Sequence, residues 1–374
     1  MKYSPLFSCI FFLLTAGAYA AETSVVEIIE TKIISQQPWY YHGWPTVVRC
    51  ANGDLRVVYS GGRDFHICPF GRLEMMTSRD DGANWTMPRV LLDSATDDRD
   101  AGIVETSEGT LLVTSFNSIA YQLHLNNPER LLQKTFGDGT LEVLKRWHLM
   151  DAATSQAQKQ TDTGHWMLRS TDGGVSWSKR YRVPGYSPHG PINLIDGRLF
   201  YATSNGNHAA AHISEDDGQT WQEISKIDLR PGEMHAVQAS NGDIVVQVRD
   251  KIVSATGSEQ NTSQIVSADG GKSWSEKQKV ADGYPSHLLR LHDGTLLMTY
   301  GWREEPYGVR GKYSQNHGTS WSDEFLIASD SASWDLGYPS SVQLQNGELL
   351  TVWYETPKDS HKAVLRQSRW RLNL

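Results

Sequence analysis

The sequence has few cysteines, no excess of positive charge and no hydrophobic run long enough to span a bilayer. It contains 3 cysteines among 374 residues and carries a formal net charge of −8. So few cysteines exclude a small disulfide-stapled scaffold. The negative charge argues against a nucleic-acid partner, which would need a broad basic surface. A transmembrane helix needs about 20 apolar residues, so we expect a soluble mature chain with no membrane span.

The N-terminus has the pattern of a secretory signal. Lys2 precedes a short apolar run at 6–14, and Ala18-Tyr19-Ala20 forms a small-x-small cleavage site. We predict a signal peptide at residues 1–20 and a secreted or periplasmic protein. Cys50 and Cys68 would then remain, either as a disulfide or as two separate buried thiols.

A motif of the form Ser-x-Asp-x-Gly-x-x-Trp recurs along the chain. Its Ser and Asp side chains can hold a tight turn, its Gly allows a positive φ, and its Trp can cover the adjacent sheet. We therefore interpret the acidic residues of this motif as structural. The copies begin at Ser78, Ser170, Ser214 and Ser267, and a fifth copy at Ser314 has Asn316 in place of Asp.

A second repeat, a Gly turn followed by a β-rich run, occurs six times, starting at Gly53, Gly109, Gly197, Gly242, Gly294 and Gly347. Six units at this spacing predict an all-β fold, a six-bladed β-propeller formed by residues 21–374. An early strand at 25–34 would join the last blade, next to 363–372, and close the ring, because an open ring would expose sheet edges.

One repeat is much longer than the others and predicts a partly helical insertion at 118–163 in blade 2. Helical patterning is present at 128–134 and 141–150. The insertion is either a surface decoration or a lobe that shapes substrate access.

Polar residues precede the first strand of every predicted blade, where the strands start near the central channel. Six such sets at one mouth predict a polar central site. The segments are His42-Gly43-Trp44-Pro45, Asp97-Asp98-Arg99-Asp100, Ser187-Pro188-His189-Gly190, Gly232-Glu233-Met234-His235, Gly283-Tyr284-Pro285-Ser286-His287 and Gly337-Tyr338-Pro339-Ser340.

These residues resemble the sialidase family. The Tyr338 segment, ahead of Gly347, is similar to the one that bears the family's nucleophilic tyrosine. Glu233 and Arg249 resemble its glutamate and second arginine, and Arg310 resembles its third arginine. The resemblance implies that Glu233 acts as a base on Tyr338. It also implies that Arg249 and Arg310 bind a substrate carboxylate in bidentate contacts.

The sequence departs from the family at two places. The segment starting at His42 lacks the family's first arginine, and His66 takes the position of the acid/base aspartate, with Asp64 two residues away. Either His66 or Asp64 would then be the proton donor, since an imidazole titrates near neutrality. Further candidate substrate contacts, some of which could supply the missing positive charge, are Arg63, Arg72, Arg99, Arg303, His42, Asp100, His189, His235 and His287.

We therefore expect a secreted, monomeric exo-glycosidase of sialidase type, acting on a glycan that ends in sialic acid or a related anionic sugar. The residues call for no cofactor and no metal. Two alternatives stay open: a polysaccharide lyase that uses His and Tyr on uronic-acid glycans, and a glycan-binding propeller without turnover.

Overall fold

The computed structural model describes residues 24–230, 232–254 and 257–374. The predicted signal peptide at 1–20 lies outside the described residues. The described chain forms six four-stranded antiparallel sheets, which confirms the predicted all-β, six-bladed propeller. No helix within the described ranges has the length and apolar character needed to cross a membrane.

The strands follow the predicted repeat. In chain order they are β1 Val26–Ile33, β2 Tyr41–Arg49, β3 Leu55–Arg63, β4 Arg72–Ser78, β5 Arg89–Leu92, β6 Asp97–Glu105, β7 Leu111–Ser118, β8 His165–Ser170, β9 Tyr181–Arg182, β10 Ile192–Asn193, β11 Leu199–Ser204, β12 Ala209–Ser214, β13 Gln222–Ile227, β14 Met234–Gln238, β15 Ile244–Ser254, β16 Gly257–Ser267, β17 Gln278–Ala281, β18 Ser286–Arg290, β19 Leu296–Trp302, β20 Gly308–Ser314, β21 Phe325–Ala328, β22 Leu336–Gln343, β23 Leu349–Glu355 and β24 Val364–Leu372. Blade 1 is β2–β5, blade 2 is β6–β9, blade 3 is β10–β13, blade 4 is β14–β17 and blade 5 is β18–β21. Strands β2, β6, β10, β14, β18 and β22 are the innermost strands.

Blade 6 joins the two ends of the described chain. Its strand order is β22-β23-β24-β1, and β1 pairs antiparallel with β24 from Val26↔Leu372 to Ile33↔Arg366. The first strand thus covers the edge of the last one, as predicted. This pairing satisfies backbone groups that an open ring would leave exposed.

The Ser-x-Asp-x-Gly-x-x-Trp motifs form the expected turns. In the first copy the Ser78 hydroxyl donates to Asp80 at 2.8 Å and accepts the Gly82 backbone N–H at 2.9 Å. Trp85 is buried, and its Nε1–H donates to Gln367 of blade 6 at 2.8 Å. The motif therefore ties a turn and also bonds to the neighbouring blade.

A ring of polar side chains connects the blades at the other end of the channel. Every innermost strand ends in a long polar residue, and five of the six reach back to the preceding blade. For example, Gln343 accepts the His292 backbone N–H at 2.8 Å, and Arg290 donates to the Gln238 carbonyl at 2.9 Å. The ring consists of Arg49, Glu105, Asn193, Gln238, Arg290 and Gln343, and Arg49 is the member without such a bond among the described residues.

The insertion in blade 2 is helical, as predicted. It contains α1 Tyr121–Asn126, α2 Pro128–Phe136, a 3₁₀ turn at Gly137–Gly139, α3 Thr140–Ala153 and α4 Gln156–Asp162. Its buried side chains, such as Tyr121 and Trp147, form a core with Cys68 in the loop after β3. The insertion therefore packs beside the mouth of the channel.

Cys50 and Cys68 are both free and buried. Cys50 packs in the core between blades 1 and 2, whereas Cys68 packs under the insertion. Of the two possibilities that the sequence left open, the structure has two separate thiols.

Candidate functional site

Three innermost strands begin with the same backbone irregularity. Trp44, Asp100 and Tyr338 have φ angles of 55°, 44° and 52°, and a shift in strand register spans each of them. Non-glycine residues rarely adopt positive φ, and bulges of this kind re-aim side chains beside functional sites. Blades 1, 2 and 6 thus place one side chain each at the same mouth.

These side chains line a cavity of about 810 Å³, which we call the front cavity. Its size suits a sugar or a short oligosaccharide. Its lining combines aromatic rings, carboxylates and arginines. The residues include Trp44, Phe65, His66, Arg99, Asp100, Phe116, Thr135, Tyr186, Glu233, Arg249, Arg303, Trp334, Asp335, Tyr338 and His361.

Tyr338 and Glu233 are in direct contact. The phenol donates to Glu233 Oε1 at 2.5 Å, and Arg249 donates to Glu233 Oε2 at 3.0 Å. Burial and the nearby Glu233 carboxylate raise the pKa of Tyr338 well above its usual value. The phenol therefore keeps its proton in the resting protein, with a carboxylate in place to accept it.

Two guanidinium groups of the front-cavity lining stack on one aromatic ring, that of Tyr284. The Arg249 and Arg303 Cζ atoms lie 4.7 and 5.2 Å from the centroid of Tyr284. Arg249 also donates through Nε to Gln260 at 2.7 Å, whereas Arg303 Nε is buried and has no protein partner in the described chain. Two adjacent cations with unused donors form a receptor for a carboxylate.

Arg310 does not join this pair. It forms an ion pair with Glu324, its Cζ lies 3.6 Å from the Trp302 ring centroid, and it is not part of the front-cavity lining. The substrate contact predicted for Arg310 is therefore at odds with its position. Arg303, another predicted contact, is the arginine from blade 5 that reaches the cavity.

Of the three arginines considered for the missing positive charge, the structure brings Arg99 into the front cavity. Its Cζ lies 4.1 Å from the Trp44 ring centroid, and it donates to the His66 carbonyl at 2.8 Å. Arg63 has 0% of its side chain exposed and forms a buried ion pair with Asp97. Arg72 pairs with Glu74 at 2.7 Å. The substrate contacts predicted for Arg63 and Arg72 do not fit these pairings, because neither side chain lines the cavity.

His66 lines the cavity and is held by a carboxylate. Its Nδ1 lies 3.0 Å from Asp335 Oδ1 and 2.9 Å from the Tyr41 hydroxyl, which itself donates to Asp335 Oδ2 at 3.1 Å. These acceptors assign the proton to Nδ1 and leave Nε2 for substrate. Burial lowers the pKa of His66, although Asp335 partly opposes this shift. The side chain keeps 29% of its surface exposed.

Asp64 faces the insertion instead of the cavity. Its carboxylate pairs with Arg146 at 3.0 Å and accepts the Trp147 Nε1–H at 3.0 Å. The alternative acid/base role predicted for Asp64 is therefore incompatible with its position. His42 is likewise buried outside the cavity, 2.8 Å from Ser35 Oγ, so it cannot be the predicted substrate contact.

Asp100 is buried in the cavity wall, and its Oδ1 has no protein partner in the described chain. Burial raises the pKa of Asp100 to about 7, since desolvation outweighs the neighbouring Arg99 and the Glu233 carboxylate acts in the same direction. Asp100 therefore stays a predicted substrate contact, with one carboxylate oxygen that no described protein group bonds.

His189, His235 and His287 lie deeper in the channel. Their rings are 4.5 to 5.2 Å apart, and they line a separate cavity at the far end. None of them is part of the front-cavity lining. The contacts predicted between these histidines and a substrate at the front mouth are therefore at odds with the structure, because the side chains extend into the channel below it.

Sequence reasoning missed Asp335 and Trp334 of the cavity lining, and it assigned no role to Tyr284, which contacts the two arginines without lining the cavity. Asp335 holds His66 from the start of blade 6, and Tyr284 supports both arginines from the start of blade 5. Trp334 lines the cavity with 60% of its surface exposed. Tyr284 belongs to one of the segments that the sequence placed at the mouth. The one sequence signal for Asp335 is that it lies three residues before Tyr338.

Comparison with known proteins decides the family. The sequence profile of the BNR repeat-like domain matches residues 140–351, more than half of the chain. The chain belongs to this family. This match and the six-bladed propeller confirm the predicted membership of the BNR-repeat propeller superfamily, and solved sialidase structures share the fold.

The structural relatives are distant in sequence. A Dyadobacter fermentans protein of unknown function has a TM-score of 0.74 and 21% identity, over 94% of this chain and 100% of that one. The NanB sialidase of Streptococcus pneumoniae has a TM-score of 0.63 and 13% identity, over 93% and 70%. The intramolecular trans-sialidase of Ruminococcus gnavus has a TM-score of 0.58 and 13% identity, over 89% and 94%. At these identities the likeness concerns the fold alone.

A curated relative matches a shorter segment. Xyloglucanase Xgh74A of Acetivibrio thermocellus is 31% identical over an alignment of 178 positions, which covers 39% of this chain and 20% of the xyloglucanase. The matching region thus spans about a fifth of that enzyme.

Proposed function

We propose that this protein is an exo-acting glycoside hydrolase of sialidase type. It removes a terminal sialic acid or a related anionic sugar from a glycan, with Tyr338 as nucleophile. The observation that carries the proposal is the 2.5 Å contact between the Tyr338 hydroxyl and Glu233, beside the guanidinium groups of Arg249 and Arg303. A protein that only binds glycans needs no phenol paired with a base.

The residue types suit an anionic sugar. A carboxylate next to the reacting carbon repels a carboxylate nucleophile, so a neutral phenol is better suited to attack there. This tyrosine route is an exception to the two-carboxylate scheme of most glycosidases. Arg303, whose Nε is unpaired, and Arg249 beside it bind the substrate carboxylate, while Arg99 adds a third cation to the wall.

In the first step the Tyr338 oxygen attacks the anomeric carbon and its proton passes to Glu233 Oε1. The bond from that carbon to the leaving oxygen breaks, and His66 in its imidazolium form donates a proton to this oxygen. The raised pKa of Tyr338 means that the proton has to move during the attack, since little free phenolate exists beforehand. Asp335 keeps the His66 ring oriented through Nδ1.

In the second step the neutral His66 accepts a proton from water, and the water oxygen replaces the Tyr338 oxygen at the anomeric carbon. Glu233 returns its proton to the departing phenolate. Both catalytic groups are thereby restored, and the sugar leaves with the configuration that it had in the glycan.

A second candidate rests on the lowered pKa of His66. A neutral imidazole is a base, and a polysaccharide lyase needs a base to remove the proton beside a uronate carboxylate. Tyr338 would then protonate the leaving oxygen, and the arginines would neutralise the carboxylate. The product differs from that of a hydrolase, because elimination leaves an unsaturated uronide that absorbs in the ultraviolet.

The test is a screen of sialylated, uronate-rich and sulfated glycans with the purified protein and its Tyr338→Phe variant. We expect release of an anionic monosaccharide without new ultraviolet absorbance, and loss of release in the variant. New absorbance would establish the lyase instead. If the folded protein cleaves no anionic glycan but binds one, the enzyme proposal is wrong and a glycan-binding propeller remains.

A further inference from the structure

The channel opens at its far end into a second cavity of about 360 Å³, which we call the rear cavity. The C-terminal parts of the innermost strands line it. Its lining also includes the buried histidines His189, His235 and His287 and the arginines Arg49 and Arg290. None of these groups takes part in the chemistry proposed for the front cavity.

The rear cavity has cationic side chains without anionic partners. No Asp or Glu is among its lining residues in the described chain. The ion pairs of the described residues include neither Arg49 nor Arg290, and Arg49 Nε is buried without any hydrogen-bond partner. Leaving a buried guanidinium N–H unpaired is costly, and no described protein group offsets this cost for Arg49.

Two of the imidazoles are fixed as hydrogen-bond donors. His235 Nδ1 accepts the Leu288 backbone N–H at 2.9 Å, and His287 Nδ1 accepts the Ser341 backbone N–H at 3.4 Å. A ring that accepts through Nδ1 carries its proton on Nε2 when it is neutral. These two Nε2–H groups therefore serve as donors in the channel, and neither offers a lone pair to a metal ion.

The third imidazole has an unsatisfied atom in the same cavity. His189 is 2% exposed, its Nδ1 lies 3.0 Å from Thr46 Oγ1, and its Nε2 has no partner in the described chain. A buried polar atom normally has a hydrogen-bond partner. The Thr46 hydroxyl donates to the Pro188 carbonyl at 3.3 Å, so His189 Nδ1–H donates to Thr46 and the neutral Nε2 carries a lone pair. His189 is therefore not among the donors for an anion.

We propose that the rear cavity is a binding site for a small oxyanion, held by Arg49 and Arg290 with imidazole N–H groups as further donors. A cation would meet two guanidinium groups here, and a neutral sugar would leave both without a counter-charge. The ligand is a carboxylate, phosphate or sulfate group, either as a free ion or on a sugar acid. The volume of about 360 Å³ is at the lower end of the range for small-molecule sites and has room for a sugar acid as well as for a free ion.

Calorimetric titration tests the proposal at constant ionic strength in a chloride buffer. The probes are inorganic phosphate, inorganic sulfate and glucuronate, and neutral glucose is the control. We expect saturable binding of at least one anion with a Kd on the order of 1 mM and no binding of glucose. Tighter binding of glucuronate than of phosphate would identify a sugar acid, and the reverse would identify a free oxyanion.

Substitutions locate the site. Arg49→Gln and Arg290→Gln should each weaken binding about tenfold, and Arg49→Lys should retain part of the affinity. Arg79→Gln, which changes an exposed arginine outside both cavities, should have no effect. Arg303→Gln in the front cavity should leave rear binding intact, so the two sites are distinguishable.

Imidazole N–H resonances provide a second readout that does not depend on folding of the variants. Phosphate should shift the Nε2–H signals of His235 and His287 in the unsubstituted protein. The proposal is overturned if no anion binds, if glucose binds equally well, or if binding is lost in Arg303→Gln but not in Arg49→Gln.

Discussion

The front cavity combines carboxylates with arginines, whereas the rear cavity combines arginines with histidines and has no carboxylate among its described lining residues. All six innermost strands line the rear cavity, whereas the starts of β2, β6 and β22 line the front cavity together with residues of loops, other strands and the insertion. In the front cavity, proton donors and acceptors are in contact, as in the pair Tyr338–Glu233. In the rear cavity, backbone N–H groups fix the tautomers of His235 and His287. The comparison teaches that a proton can move between side chains in the front cavity, where a phenol bonds a carboxylate, whereas His235 and His287 accept from backbone N–H groups that do not titrate.

The backbone of the innermost strands is strained at the front cavity and regular at the rear cavity. The strands start with positive φ angles at Trp44, Asp100 and Tyr338, and they end in regular positions that connect neighbouring blades. Strain of this kind costs about 1–3 kcal/mol per residue. At the far end, side-chain hydrogen bonds join neighbouring blades at five of the six junctions of the described chain. These bonds stabilise the ring and offset part of the cost of the strained positions.

Tyr338→Phe gives the largest expected effect and the sharpest contrast between the cavities. Removing the nucleophile should lower kcat about 10⁴-fold on an anionic glycan, while anion binding at the rear cavity stays unchanged. The measurement is steady-state kinetics with calorimetry on the same preparation. Turnover within tenfold of the unsubstituted protein would rule out Tyr338 as nucleophile.

His66→Gln should lower kcat/KM about 10³-fold on a substrate with a poor leaving group, because general acid catalysis is lost. The loss should be smaller on an aryl glycoside, whose leaving group needs no proton. The pKa of His66 is lowered from its usual value. The kcat/KM of the unsubstituted enzyme should therefore fall as the pH rises through this lowered pKa, because the imidazolium then loses the proton that it donates. A flat acidic-to-neutral pH profile would contradict His66 as the acid.

Arg303→Gln should lower kcat/KM about 100-fold, because a bidentate contact with the substrate carboxylate is lost. Arg310→Gln is the matched control, since Arg310 pairs with Glu324 outside the cavity. Its effect on kcat/KM should stay within about twofold, as expected for a substitution that does not contact substrate. Equal losses in the two variants would show that Arg303 does not select the substrate.

His235→Gln tests the neutral state of the channel histidines. Burial lowers the pKa of His235 to about 3, so the unfolded chain takes up this proton first as the pH falls. The stability held by the neutral ring is complete above the usual pKa of 6.5 and decreases between pH 6.5 and 3.

The Gln side chain keeps an acceptor for the Leu288 N–H and does not titrate. Replacing His235 by Gln should therefore remove about 2 kcal/mol of the acid-induced destabilisation at pH 5. Chemical unfolding at pH 7 and pH 5 measures the difference in the free energy of unfolding between the two pH values. His148→Gln, on the exposed side of α3, is the control. An unchanged pH dependence in His235→Gln would show that this ring does not resist protonation.

Trp334→Ala gives the smallest expected effect. Trp334 lies at the cavity rim beside Asp335, on the side where His66 protonates the leaving group. Loss of its stacking surface should raise KM about tenfold for an oligosaccharide and leave an aryl glycoside unaffected. Trp39, with 62% of its surface exposed outside the front cavity, is the control, and equal effects of Trp39→Ala would remove the stacking role.

The repeats were sufficient to predict the blades, the ring closure and the helical insertion, because each repeat specifies its own turn and strand. The pairing of Tyr338, at the start of β22, with Glu233, just before β14, was expected only from the resemblance to the sialidase family. Other site residues were assigned less well. Arg303 and Arg310 lie on either side of one turn, and the direction of a side chain at a strand end depends on its packing partners.

The sequence by itself determined the propeller, the number of blades and the mouth at which the reactive groups converge, because periodic local patterns encode turns, strands and their order. Only the tertiary structure decided which ionisable groups become partners. Asp64 bonds Trp147 of the insertion, and Arg63 forms an ion pair with Asp97. Asp335, at the start of blade 6, bonds His66 of blade 1. The physical reason is that burial and pairing depend on residues far apart in the chain, and these set the charge and direction of each group.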